Sequence, residues 1–115
     1  MSQSAIEAQR LLLHEILEDV NGVKKVYFQP PKNIMLEYPC IIYSMNRFDD
    51  YYSNNTRYLS IPTYDLTLVD YSIDSDIPEL ILSINNGCHT TFDRYYASDN
   101  LHHWSFTLTF SKALW

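Results

Sequence analysis

The sequence predicts an α+β domain in which a mostly antiparallel sheet carries two helices packed on one of its faces. Three observations lead there. Two segments repeat apolar residues with the period of a helix, several others alternate with the period of a strand, and each of the two glycines follows an asparagine at the end of a helical segment. Each helix has a single apolar stripe, so each needs a sheet to cover it.

Ser4-Ala5-Ile6-Glu7 has the S-x-x-E form of a capping box, in which hydroxyl and carboxylate satisfy the orphan amides of a first turn. Leu13, Ile16, Leu17 and Val20 then fall on one helical face, and Asn21-Gly22 supplies a left-handed stop, which predicts a helix over about residues 4 to 21. Val26-Tyr27-Phe28 reads as a short strand closed by Pro30-Pro31. Residues 32 to 39 have no period and read as a crossing connection.

Cys40-Ile41-Ile42-Tyr43-Ser44-Met45 is apolar on both alternating faces, as in a central strand covered on two sides. Asp49 to Pro62 reads as a loop between strands. From Tyr64 to Tyr71 a strand sets Tyr64, Leu66 and Leu68 on one face and Thr67, Val69 and Tyr71 on the other. Asp76-Ile77-Pro78-Glu79 opens a second helix with an Asp cap, an early proline and a glutamate in the first turn; Ile77, Leu80, Ile81 and Ile84 form its stripe and Asn86-Gly87 closes it.

The chain ends in a hairpin. Its first arm carries Thr91, Asp93 and Tyr95, the turn lies in Ala97-Ser98-Asp99-Asn100, and the second arm alternates Trp104, Phe106, Leu108 and Phe110 with Ser105, Thr107 and Thr109. Trp104, Phe106 and Leu108 are expected to be buried against Leu13, Ile16, Leu17, Leu80, Ile81 and Ile84. The opposite sheet face carries Thr, Tyr and Asp and is expected to be solvated or used for assembly.

At 115 residues the chain is read as one domain, 1–115, long enough for a core and too short for two. There is no repeat and no low-complexity segment. The net charge of -6 and the lack of any Lys/Arg run beyond Lys24-Lys25 argue against a duplex nucleic-acid footprint, and no sequence-specific nucleic acid is expected as a partner. No apolar run approaches the roughly 20 residues of a membrane span, and no membrane partner is expected. Cys40 and Cys88, without C-x-x-C spacing or a secretory signal, read as reduced thiols of a protein made in the cytosol.

The chemistry-bearing residues do not assemble into a reaction centre. His102 and His103 are adjacent on a strand and point to opposite faces, so they cannot share an ion, and His14 and His89 have no partner at ligand spacing. A Cys-His pair drawn from Cys40 or Cys88 with His89 or His103 lacks the glycine-supported turn that exposes a nucleophile. Asp70, Asp74 and Asp76 lack the glycine and glutamate of a calcium loop; helix capping accounts for Asp76 and turn chemistry for Asp74. The expectation is therefore no catalytic residue, no cofactor, no metal and no enzyme activity.

Ten tyrosines point instead to protein contacts, because the ring is apolar and the hydroxyl can hydrogen-bond. The segment Asp49 to Tyr58 concentrates three of them with an arginine, and Asp50, Tyr51, Tyr52, Arg57 and Tyr58 are the candidate interaction residues, with Asn54-Asn55 as a tip. A twisted hairpin whose tyrosines pack on one another is the plainer alternative, and base stacking on them is disfavoured by the acidic balance.

Four strings carry a family resemblance: Tyr38-Pro39-Cys40-Ile41-Ile42-Tyr43-Ser44, Tyr64-Asp65-Leu66-Thr67-Leu68-Val69-Asp70, Asp76-Ile77-Pro78-Glu79-Leu80, and Phe92-Asp93-Arg94-Tyr95-Tyr96 through Asp99-Asn100-Leu101-His102-His103-Trp104. Together they resemble the tail terminator, or tail completion, proteins of long-tailed bacteriophages, over about residues 1 to 110. The last string is the most specific. The resemblance implies a small structural subunit that forms a hexameric ring, caps the finished tail tube and offers a surface to the head connector. Its partners would be copies of itself, the tail tube protein and the head-tail connector protein. Its place would be the head-proximal end of the virion tail, after assembly in the host cytoplasm. It transfers a role and no individual functional residue. A neck or head-completion protein of the same virion is the alternative, and a small hydrolase or nucleic-acid-binding module a distant one.

Overall fold

A computed structural model of the chain describes residues 3–53, 56–85 and 87–110, with side chains described over 7–47, 62–85 and 87–110. Seven elements follow in the expected order: α1 (Gln3–Glu18), β1 (Lys25–Phe28), β2 (Cys40–Ser53), β3 (Thr56–Asp70), α2 (Ile77–Leu82), β4 (Cys88–Ser98) and β5 (Leu101–Phe110). The strands form one sheet in the order β1-β2-β3-β5-β4, parallel between β1 and β2 and antiparallel elsewhere. The fold is α+β.

The core lies between that sheet and the two helices. Ile41 and Tyr43 of β2, Tyr64, Leu66 and Leu68 of β3, and Trp104, Phe106, Leu108 and Phe110 of β5 meet Leu13, Leu17 and Val20 from the α1 segment and Ile77 and Ile81 from α2. Cross-strand register explains the match, since Ile41 faces Leu68, Leu68 faces Trp104, Tyr43 faces Leu66 and Leu66 faces Phe106 in continuous rows. Two expected core residues fall outside. Ile16 is half-buried and Leu80 is exposed, because α2 has only six residues and turns Ile77 and Ile81 inward, leaving Leu80 on its flank.

A polar chain leads from this core to the surface. The buried Tyr43 hydroxyl bonds His14 Nδ1 at 2.8 Å, and His14 Nε2 lies 3.6 Å from Glu18 Oε2. Burial pushes the Tyr43 and Tyr64 phenols above their ordinary value of 10.0.

The helix ends depart in detail from the sequence reading. α1 begins at Gln3, one residue before the expected Ser4 cap, whose side chain lies outside the described ones, and its regular turns stop at Glu18. Gly22, at φ +95°, supplies the left-handed position beyond them. Asp76 is the residue before α2, yet its side chain makes no cap bond; Ser75 Oγ accepts from the Ile77 N–H at 3.2 Å instead. Asp70 orders the preceding turn by accepting from the Tyr71 and Ser72 amides. Asp99 and Asn100 close the terminal hairpin, both at positive φ as a tight two-residue turn requires.

The second sheet face is not uniformly open. The connection from β1 to β2 crosses it: the Glu37 N–H donates to the Tyr27 hydroxyl at 3.0 Å and Tyr38 meets Tyr71 edge to face. Beneath that end Cys40 and Val69 are buried, whereas Asp65 is exposed and Thr67, Ser105, Thr107 and Thr109 are half-buried. On β4 the alternation expected for Thr91, Asp93 and Tyr95 breaks at a bulge. Thr91 pairs with Thr107 but Tyr95 pairs with Trp104, so Asp93 is the extra residue and Tyr95 turns to the helix side.

Candidate functional site

The candidate residues lie on strand, and not on a loop as the sequence reading has it. β2 and β3 continue past the rest of the sheet, pairing Phe48 with Pro62, Asp49 with Ile61, Asp50 with Ser60, Tyr51 with Leu59, Tyr52 with Arg57 and Ser53 with Thr56. β1 leaves β2 at Tyr43 and β5 leaves β3 at Thr63, so among the described residues these two arms pair only with each other. The result is a two-stranded ribbon about 20 Å long at the usual rise per residue.

Two irregularities shape it. Asn46 is the extra residue where the register shifts between Met45 and Arg47, at the ribbon's root, and its Nδ2 donates to Asp65 Oδ1 at 3.1 Å. Tyr58 is extra where Tyr51 pairs with Leu59 and Tyr52 with Arg57. Each bulge bends and twists the arms locally. Asp50, Tyr51, Tyr52, Arg57 and Tyr58 are therefore brought together at the far end of one projection. The Asn54-Asn55 tip lies outside the described residues.

The projection stretches the molecule to 52 × 27 × 23 Å, with a radius of gyration of 15.2 Å. A compact chain of this length would have about 13 Å.

The sheet's two outer edges form the other exposed features, and the sequence reading did not single them out. β1 is four residues long, follows Lys24, begins with Lys25 and is stopped by Pro30-Pro31, the usual means of blunting an edge. β4 is eleven residues long, contains neither lysine nor proline, and is exposed from Thr91 to Ser98. Phe92, Tyr95 and Tyr96 along it are 45%, 39% and 38% exposed. Rings on both faces stiffen it: Phe92 meets Phe106 edge to face, Tyr95 stacks on His102, and Tyr96 stacks on His103 at 4.5 Å with Arg94 5.0 Å from the Tyr96 ring. The period-2 pattern of β5 signals a partner strand, and the strand order shows that this partner's far side is an edge.

The histidines take up packing positions. His102 lies on the helix side, bonded through Nδ1 to the Tyr95 hydroxyl at 2.5 Å, and His103 lies on the other face, as the alternation requires. Neither Cys40 nor Cys88 is in a disulfide; Cys40 is buried and Cys88 half-buried, and burial pushes the Cys40 thiol up to about 11. Among the described residues no three of His, Cys, Asp and Glu come together as metal ligands do, and no helix is long and apolar enough to cross a membrane. A shallow groove of about 300 Å³ runs between the helices past Ile16, Val20, Leu80 and Ile84. No model of a known protein family matches the chain, and no curated protein matches it.

Proposed function

We propose that this chain is a structural subunit of a bacteriophage virion, a tail terminator that forms a ring of six, caps the finished tail tube and offers its exposed face to the head connector. The observation that carries the reading is the ribbon. A two-stranded hairpin with no third strand is marginally stable in water, so an arm of this length is suited to contacts made outside its own domain. It bears the Tyr and Arg enrichment of protein interfaces. The four resembling strings supply the kind of assembly, and the small single sheet is consistent with a subunit whose machinery comes from repetition.

As part of this reading the protein performs no catalysis and holds no metal or cofactor. The opposed faces of His102 and His103 and the packing roles of His14 and Cys40 support that. Elemental analysis of untagged protein is expected to find no stoichiometric zinc, iron or manganese, and one tightly held equivalent would contradict it.

Replacing Tyr51, Tyr52 and Arg57 together by Ala tests the ribbon's role. The variant is expected to fold and to leave tails that neither complete nor join heads. Tails of normal length that still bind heads would remove the ribbon from the interface.

A further inference from the structure

The ribbon and the β4 edge are two incomplete halves of sheet within one chain. We infer that the outer edge of β4 is the docking strip for a second copy of this chain, which adds its β2–β3 ribbon there as a further strand. The inference deepens the ring reading and rests on it for the number of copies, though not for the contact itself.

Four observations select that occupant. The acceptor is long, eleven residues without the lysine, proline or brevity that guards β1 at the opposite edge, and its one bulge, at Asp93, leaves the regular stretch from Arg94 to Ser98 open. The donor runs for six register pairs beyond the third strand and, unlike the short guarded β1, leaves both of its outer edges unpaired among the described residues. It cannot serve its own β4, because it leaves from β2 and β3 while β5 stands between β3 and β4. Lastly, each strip carries charges of both signs, Asp49, Asp50 and Arg57 on the donor and Asp93 and Arg94 on the acceptor, so the pairing does not bring together two strips of one sign.

Main-chain hydrogen bonds would give such a contact its affinity, and Phe92, Tyr95 and Tyr96, each more than a third exposed, would be covered by the incoming arm. Donor and acceptor are different surfaces, which makes the contact heterologous: each copy gives one ribbon and receives one, and the chain of contacts closes into a ring or runs on as a filament. A symmetric β4-to-β4 pairing would stop at two copies and leave both ribbons bare.

The test uses the full chain and a variant in which residues 49–61 are replaced by Asn-Gly, a two-residue turn that suits the retained Phe48–Pro62 pair. Native mass spectrometry at rising concentration, up to about 1 mM, is expected to show oligomers of the full chain and only monomer of the variant. An excess of the variant, which keeps β4 and gives no ribbon, is expected to cut the full chain's oligomers to short capped species. Hydrogen exchange in the full-chain oligomer is expected to slow about tenfold or more at β4 and ribbon amides together, with β1 unchanged.

The variant's own melting curve shows whether it folds; if it does not, exchange in the full chain decides alone. Oligomers of a folded variant equal to those of the full chain, or full-chain oligomers whose β4 amides exchange as in the monomer, overturn the inference and leave the ring reading intact. A full chain that stays monomeric throughout overturns it too, since the contact is then too weak to be a docking strip. The ring reading would then stand or fall on tails.

Discussion

The body of the sheet and the ribbon that leaves it are built from the same two strands, yet they are held by different forces. From Cys40 to Tyr43 and from Tyr64 to Val69, β2 and β3 lie inside the sheet, with strands on both sides and helices above. Beyond Arg47 and Thr63 the same strands pair, among the described residues, only with each other. The body is stabilised by burial of apolar surface, whereas the ribbon depends on its own ladder and on whatever covers it. The contrast separates residues that make the fold from residues that use it.

Core truncation tests the contrast most severely. Phe106 is 1% exposed beneath the helices, and Phe106→Ala is expected to cost about 3–5 kcal/mol, which for many domains of this size gives insoluble protein. An unchanged melting temperature would show that the helices do not rest on β5. A finer comparison lies within α1, where Leu17 is fully buried and Leu12 is 50% exposed. Leu17→Ala is expected to cost about 2–5 kcal/mol and Leu12→Ala no more than about 0.5 kcal/mol. Equal costs would mean that the helix is rotated from the face described.

Alkaline pH gives a third comparison. The Cys40 thiol is raised from 9.0 to about 11, so the folded state holds its proton more tightly than the unfolded chain does. Its contribution is complete below pH 9 and is lost as pH climbs from 9 through about 11. Tyr43 and Tyr64, also raised, act in the same direction above pH 10. Urea titrations of the native chain and of Cys40→Ala are expected to converge as pH rises over that window. Parallel lines would mean that Cys40 is no better shielded than in the unfolded chain. The smallest stability effect belongs to the ribbon: the triple Tyr51, Tyr52 and Arg57→Ala variant should melt close to the native chain. A large fall would make the arm part of the body.

The body was legible in the sequence because burial writes a period. Leu13, Leu17 and Val20 at helical spacing, and Trp104 to Phe110 at strand spacing, announced the surfaces that meet. The ribbon is less legible for the opposite reason: no apolar alternation runs through Asp49 to Ile61, so the segment reads as a loop although its arms pair over six register positions. The five interaction candidates could still be named, since Tyr and Arg enrichment does not depend on period. The β4 edge was hidden by its bulge, which breaks the alternation between Thr91 and Tyr95, and by the fact that edge status belongs to strand order. For Leu80 the stripe rule assumes a longer α2 than the six residues that form, and Ile16 lies at the margin of the α1 stripe, half-buried beside the groove between the helices.

The proposed role is that of a ring subunit at the head-proximal end of a phage tail. A reconstruction of tails assembled with the labelled chain tests it most directly. The account predicts six copies closing a ring on the tube's last layer, with their ribbons engaged against a neighbouring copy. The chain at the opposite tip, inside the head, or in a ring of another number would contradict it.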